Sequence, residues 1–172
     1  MNPGESDPPP SGSTSTIPLP ARHDRVAVDV ETDGVRIPLS RRRVAWLARE
    51  VLRSERVADA LVSITFLDGP AIARINEEHL GHEGPTDIIS FALDRPVAGA
   101  PVVGDIYICP EVVREQARDH RRPIREEFTR VVIHGALHIL GHEHPEGEGR
   151  TDSPMWLLQE RLVSRLLPLP DE

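Results

Sequence analysis

The sequence predicts an α+β fold, with one mixed sheet of about four strands, about five helices, and a histidine-bearing helix buried among them. Three observations predict it. Four short apolar runs read as strands, and apolar residues recur at helical spacing in longer segments. One helical segment, 123–140, is apolar around its whole circumference, which marks a helix enclosed on all sides.

The first strand is read at Val26-Ala27-Val28-Asp29-Val30. Ser40 then caps a helix whose apolar positions Val44, Leu47, Ala48 and Val51 fall at i, i+3, i+4 and i+7. A second strand, 61–67, alternates Val62, Ile64 and Phe66. Asp68-Gly69-Pro70 turns into a short helix through Ile72, Ile75 and Asn76. Strands at 88–93 and 102–109 follow. After Pro110 the pattern is helical throughout: a helix to Asp119, a second opened by Pro123, and an amphipathic last helix through Met155, Trp156, Leu158, Leu162 and Leu166. Residues 1–24 are crowded with Pro, Ser, Gly and Thr and are expected to be a disordered tail, with 25–168 as the single domain and 169–172 as a C-terminal tail.

A chain of 172 residues is long enough to bury a sizeable core. Its net charge of −8 argues against a strongly basic nucleic-acid wrapper, though not against local basic patches. All 20 cations are arginine, whose planar fork suits phosphate. The single cysteine, Cys109, excludes an internal disulfide framework and a thiolate-rich zinc site; it is read as a small buried apolar residue. With no secretory pattern at the N-terminus and no apolar run near 20 residues, the expectation is a cytoplasmic chain without a membrane span.

The chemistry concentrates in residues 134–144, HGALHILGHEH. His134 and His138, four apart, share one helix face. Gly141 can end that helix with positive φ, so His144 can close a three-nitrogen site. Three protein ligands leave a coordination position open for water, the arrangement of a catalytic zinc rather than a structural one. The spacing matches that of metzincin proteases, but Gly135 stands where a zincin carries its glutamate base. Glu143 is the nearest carboxylate, read as the catalytic base, as a hydrogen-bonding support for a metal ligand, or as a solvated loop acid. His142 is the weaker ligand candidate, and His79 and His82 are read as surface residues.

The motif resembles the HGxLHLxGxDH signature of the YbeY family of metal-dependent endoribonucleases and ribosomal-RNA maturation factors. Pro85-Thr86-Asp87-Ile88-Ile89-Ser90-Phe91 resembles that family's PTDVLSF segment, and Gly104-Asp105-Ile106 its GDI strand. Asn76 and Met155 fall where the family has the same residues. Three departures stand out: Glu143 replaces an aspartate, Ile139 replaces a leucine, and Leu80 fills a slot that many members give to arginine.

The resemblance implies a zinc-dependent, single-strand-specific endoribonuclease acting on ribosomal RNA, with ribosomal proteins or a ribosome-associated GTPase as further partners. It places Thr86, Asp87 and Ser90 along a groove near the metal; on their own they read as a turn cap and a polar strand face. Arg118, Arg121 and Arg122 are candidates for holding the RNA backbone, against the alternative of a solvated face paired with Glu115, Asp119 and Glu126. Few aromatic residues are available to stack bases. Two other readings stay open: an assembly factor whose metal is mainly structural, and a metallo-hydrolase of peptides or small substrates.

Overall fold

In the computed structural model, residues 25–168 are described except 96, 98 and 146; the expected tails, 1–24 and 169–172, lie outside the described residues. The four apolar runs form β1 (Arg25–Thr32), β2 (Asp59–Phe66), β3 (Ile88–Ala92) and β4 (Val102–Ile108), in the order β1-β2-β4-β3. β1, β2 and β4 are parallel, with Val28 opposite Val62 and Val62 opposite Gly104. β3 runs antiparallel on the edge, Ser90 facing Ile106. The sheet is therefore mixed.

Among the described residues there are five α-helices, α1 (Arg41–Ser54), α2 (Gly69–Leu80), α3 (Pro110–Asp119), α4 (Ile124–Ile139) and α5 (Pro154–Leu166), and a 3-10 turn, Arg150–Asp152, precedes α5. Caps explain the starts. Ser40 accepts a hydrogen bond from the Arg43 amide at 3.0 Å, Asp68 from Ala71 at 2.8 Å, and Ser153 from Trp156 at 3.2 Å. α2 runs one turn past Asn76 and ends where Gly81 takes a φ of +70°. The buried Asn76 amide donates to Gly84 O at 3.0 Å, fastening the loop that delivers Thr86 and Asp87 to β3.

Period-two alternation divides the apolar residues between two faces. Val28, Val30, Val62, Ile64, Phe66 and Ile106 join α1, α4 and α5 in the main core. Ile72, Ile89 and the buried Cys109 form a smaller core on the α2 side. α4 is the centre of the molecule. It packs against α1, α3 and α5 as well as β3 and β4, and every residue from Glu127 to Leu137 is buried.

That burial depends on a close approach to the sheet. A Cβ at Gly135 would lie 2.7 Å from Ile88 Cδ1 and 2.9 Å from Ile106 Cγ2; one at Gly104 would lie 2.9 Å from Ile139. Two missing side chains thus let α4 settle onto β3 and β4, fixing the height of the histidines above the sheet.

Candidate metal centre

α4 sets the His134 and His138 rings one turn apart, with centroids 4.5 Å from each other. The helix closes in a Schellman turn. Gly141, at a φ of +87°, donates to His138 O at 2.9 Å, and His142 N–H donates to Leu137 O at 3.1 Å. The reversal brings His144 back, its ring 5.1 Å from His134 and 5.2 Å from His138. One ring nitrogen from each histidine lies within 4.8 Å of the other two.

Hydrogen bonds assign the tautomers. His134 Nδ1–H donates to Gln159 Oε1 at 2.7 Å, and His144 Nδ1–H donates to the Pro145 carbonyl at 3.0 Å. Both rings are left with Nε2 lone pairs. His138 Nε2 lies 3.0 Å from the His134 Nε2 lone pair, within hydrogen-bond distance, and among the described residues the buried His144 Nε2 has no hydrogen-bond partner. A buried acceptor without a donor calls for a proton or a cation. Two nitrogens bound tetrahedrally to zinc stand about 3.3 Å apart, close to the His134–His138 separation. Burial, reinforced by His138, Arg150 and His144, pushes His134 down to about 4 despite the opposing Gln159 bond; burial and His144 push His138 down as well. Neutral imidazoles are the form a metal needs. The three residues fit a zinc ion.

Behind His134 runs a buried polar chain that local spacing does not announce. Gln159, 1% exposed, donates through Nε2 to Glu160 at 3.0 Å. Glu160 accepts from Arg130 at 2.8 Å, and Arg130 also reaches Glu127 at 2.7 Å and Glu126 at 2.9 Å. Burial opposes the charge on Arg130, but its carboxylate partners outweigh burial and hold the guanidinium above its usual range. The sequence clue to Gln159 is its place on the apolar stripe of α5, between Met155 and Leu162. Gln159→Leu removes the acceptor that orients His134. The expected result is about a 10- to 100-fold loss of zinc affinity in a chelator competition, with the metal-free fold retained.

Other sequence candidates fall in distinct places. Glu143 is exposed beside the site, where its charge acts on His138. His142 bonds Glu55 at 2.9 Å and stands apart from the ligand cluster. Asp87 lines a cleft of about 200 Å³ next to His134 while its carboxylate accepts from Thr86 and the Ile88 amide. Ser90 Oγ is buried without a hydrogen-bond partner among the described residues. Arg122 lines the same cleft, 3.3 Å from Glu127. Arg118 is exposed and 3.9 Å from Glu115, and Arg121 is exposed with a φ of 53°; neither lines the cleft. Among the cleft residues that the sequence did not mark as site residues are Arg150 and Trp156.

A family model described as Endoribonuclease YbeY matches residues 29–167. The chain belongs to the YbeY family. It is 39% identical to the Endoribonuclease YbeY of Beutenbergia cavernae, over 72% of this chain and 86% of that protein. The corresponding protein of Micrococcus luteus is 36% identical over 72% and 82%, and that of Thermobifida fusca 31% identical over 81% and 93%. The fold is similar to the solution structure of a Thermotoga maritima protein, with a TM-score of 0.54 and 23% identity over 83% of this chain and 90% of that one. The YbeY histidines, spaced along a sequence motif, are here one cluster in space.

Proposed function

We propose that this chain is a zinc-dependent, single-strand-specific endoribonuclease that hydrolyses phosphodiester bonds of ribosomal RNA during its maturation in the cytoplasm. One observation carries the reading: three imidazoles converge, with a buried Nε2 that has no hydrogen-bond partner among the described residues, in a chain whose curated relatives are called endoribonucleases. A three-nitrogen set leaves zinc an open position, unlike a closed structural site. Zinc held by His134, His138 and His144 supplies Lewis acidity toward a phosphoryl oxygen and makes a water acidic near neutral pH.

The chain's own residues do the rest. Gln159 orients His134. Glu143, exposed beside the ligands, accepts the proton of the attacking water. Thr86, Asp87 and Ser90 guide the strand toward the metal, and Arg122 holds a phosphate. Arg118 and Arg121, on the solvent side of α3 and the turn after it, meet RNA backbone farther out. Ribosomal proteins or a ribosome-associated GTPase deliver the substrate. No helix among the described residues is long and apolar enough to cross a membrane.

The test is cleavage of a single-stranded RNA, its duplex form and ribosomal RNA by wild type and His134→Ala purified side by side. Zinc-dependent cuts in the single strand and in ribosomal RNA, absent with His134→Ala, are expected. A zinc-loaded wild type that leaves every substrate intact replaces the nuclease with an assembly factor whose metal is structural.

A further inference from the structure

We infer that the cleft beside His134 is a nucleotide subsite, in which Arg150 holds the phosphate neighbouring the one cut and Trp156 stacks that nucleotide's base. The inference rests on the endoribonuclease reading and adds to it a binding position and a reason for single-strand preference.

Charge is the first observation. The chain carries −8, yet this cleft is lined by three guanidiniums, Arg122, Arg130 and Arg150, against two carboxylates, Asp87 and Glu127. The three arginines are not equivalent. Arg130 is buried and spent on Glu126, Glu127 and Glu160, and Arg122 leans on Glu127. Arg150 is exposed, and among the described residues no carboxylate oxygen lies within ion-pair distance of it. An uncommitted guanidinium in a cleft that opens on His134 is placed to receive an anionic oxygen through its fork.

Trp156 supplies the second observation. It lies in the first turn of α5, half-buried, on the lining of the cleft and with the Arg150 guanidinium 5.6 Å from the ring centroid. That separation makes a weak contact at an exposed site, which an entering base displaces easily. Aromatic faces bind bases regardless of sequence, and only a base freed from a duplex can lie on one. A cation and an aromatic face side by side, next to a metal site, match a nucleotide's two recognisable parts.

The second tryptophan, Trp46 on α1, is removed for the test by Trp46→Phe, leaving Trp156 as the sole indole. The probe is a 2′-O-methyl hexauridylate, titrated into the zinc-loaded full chain. Saturable quenching of Trp156 emission is expected. An abasic oligomer of equal charge should bind through Arg150 without quenching. Arg150→Ala should weaken hexauridylate binding by about tenfold and lower the salt dependence, and Trp156→Ala should weaken it about as much. Circular dichroism checks that both variants fold. Binding without quenching, or unchanged affinity in both variants, overturns the subsite even if the wild type cleaves RNA. Quenching with Arg150-dependent binding in a chain that cuts no RNA keeps the subsite and removes the nuclease.

Discussion

His138→Ala is expected to purify without stoichiometric zinc and to lose RNA cleavage by about a thousandfold. Zinc sites bind with apparent free energies of about 10–16 kcal/mol shared among four ligands, so one ligand is worth about 3–4 kcal/mol, or about 10²–10³ in affinity. The loss falls where the geometry is tightest, since His138 Nε2 lies 3.0 Å from His134 Nε2. A stability readout separates metal loss from unfolding. Zinc at a hundred times its Kd stabilises the native chain by about 2.7 kcal/mol, so a chelator should lower the wild-type Tm by several degrees. The His138→Ala chain, already metal-free, should melt at the same temperature with and without chelator. Full zinc content and undiminished cleavage in this variant would remove the three-histidine assignment.

The three-histidine cluster was legible in the sequence because its members lie within eleven residues of one helix end. Spacing of four, then a glycine, encodes a helix turn and a Schellman reversal, and Gly141 takes the positive φ that the pattern requires. The strands and helices were legible for the same local reason. Alternation in β2, the Ser40 cap, the Asp68-Gly69-Pro70 turn and the all-round apolarity of α4 each depend on near neighbours.

What local spacing hides is contact between distant segments. Gln159 meets His134 across 25 residues, and Glu160 meets Arg130 across 30. In the sequence, Gln159 and Glu160 are simply polar residues within an amphipathic helix. Trp156 reads as apolar filling in the same helix, and Arg150 as a loop cation. Only the packing of α5 on α4 turns them toward one cleft. Arginine runs mislead in the opposite sense. Arg118, Arg121 and Arg122 look alike in the sequence, but the bend after α3 sends only Arg122 inward.

Gly135→Glu, which would restore the zincin motif HExxH on paper, is expected to destabilise the fold by about 4 kcal/mol or more and to confer no peptidase activity. One helical step of about 100° beyond His134, position 135 points at the sheet rather than at the metal. Its Cβ would already press within 2.7 Å of Ile88 Cδ1 and 2.9 Å of Ile106 Cγ2, and a carboxylate beyond it would enter an apolar layer with no partner. Gly135→Ala isolates the steric part. Overpacking costs about 1–3 kcal/mol, but replacing a mid-helix glycine returns about 1 kcal/mol, so a net loss of about 1 kcal/mol is expected with zinc binding intact. Urea unfolding of the three chains at equal zinc measures the series. A Gly135→Glu chain as stable as wild type would mean that α4 does not lie this close to β3 and β4. A stable chain that also cleaved peptides would show that position 135 faces the metal after all. The glycine is thus explained by packing: the motif gives up a base because the helix must touch the sheet there, and the proton has to be taken from another direction.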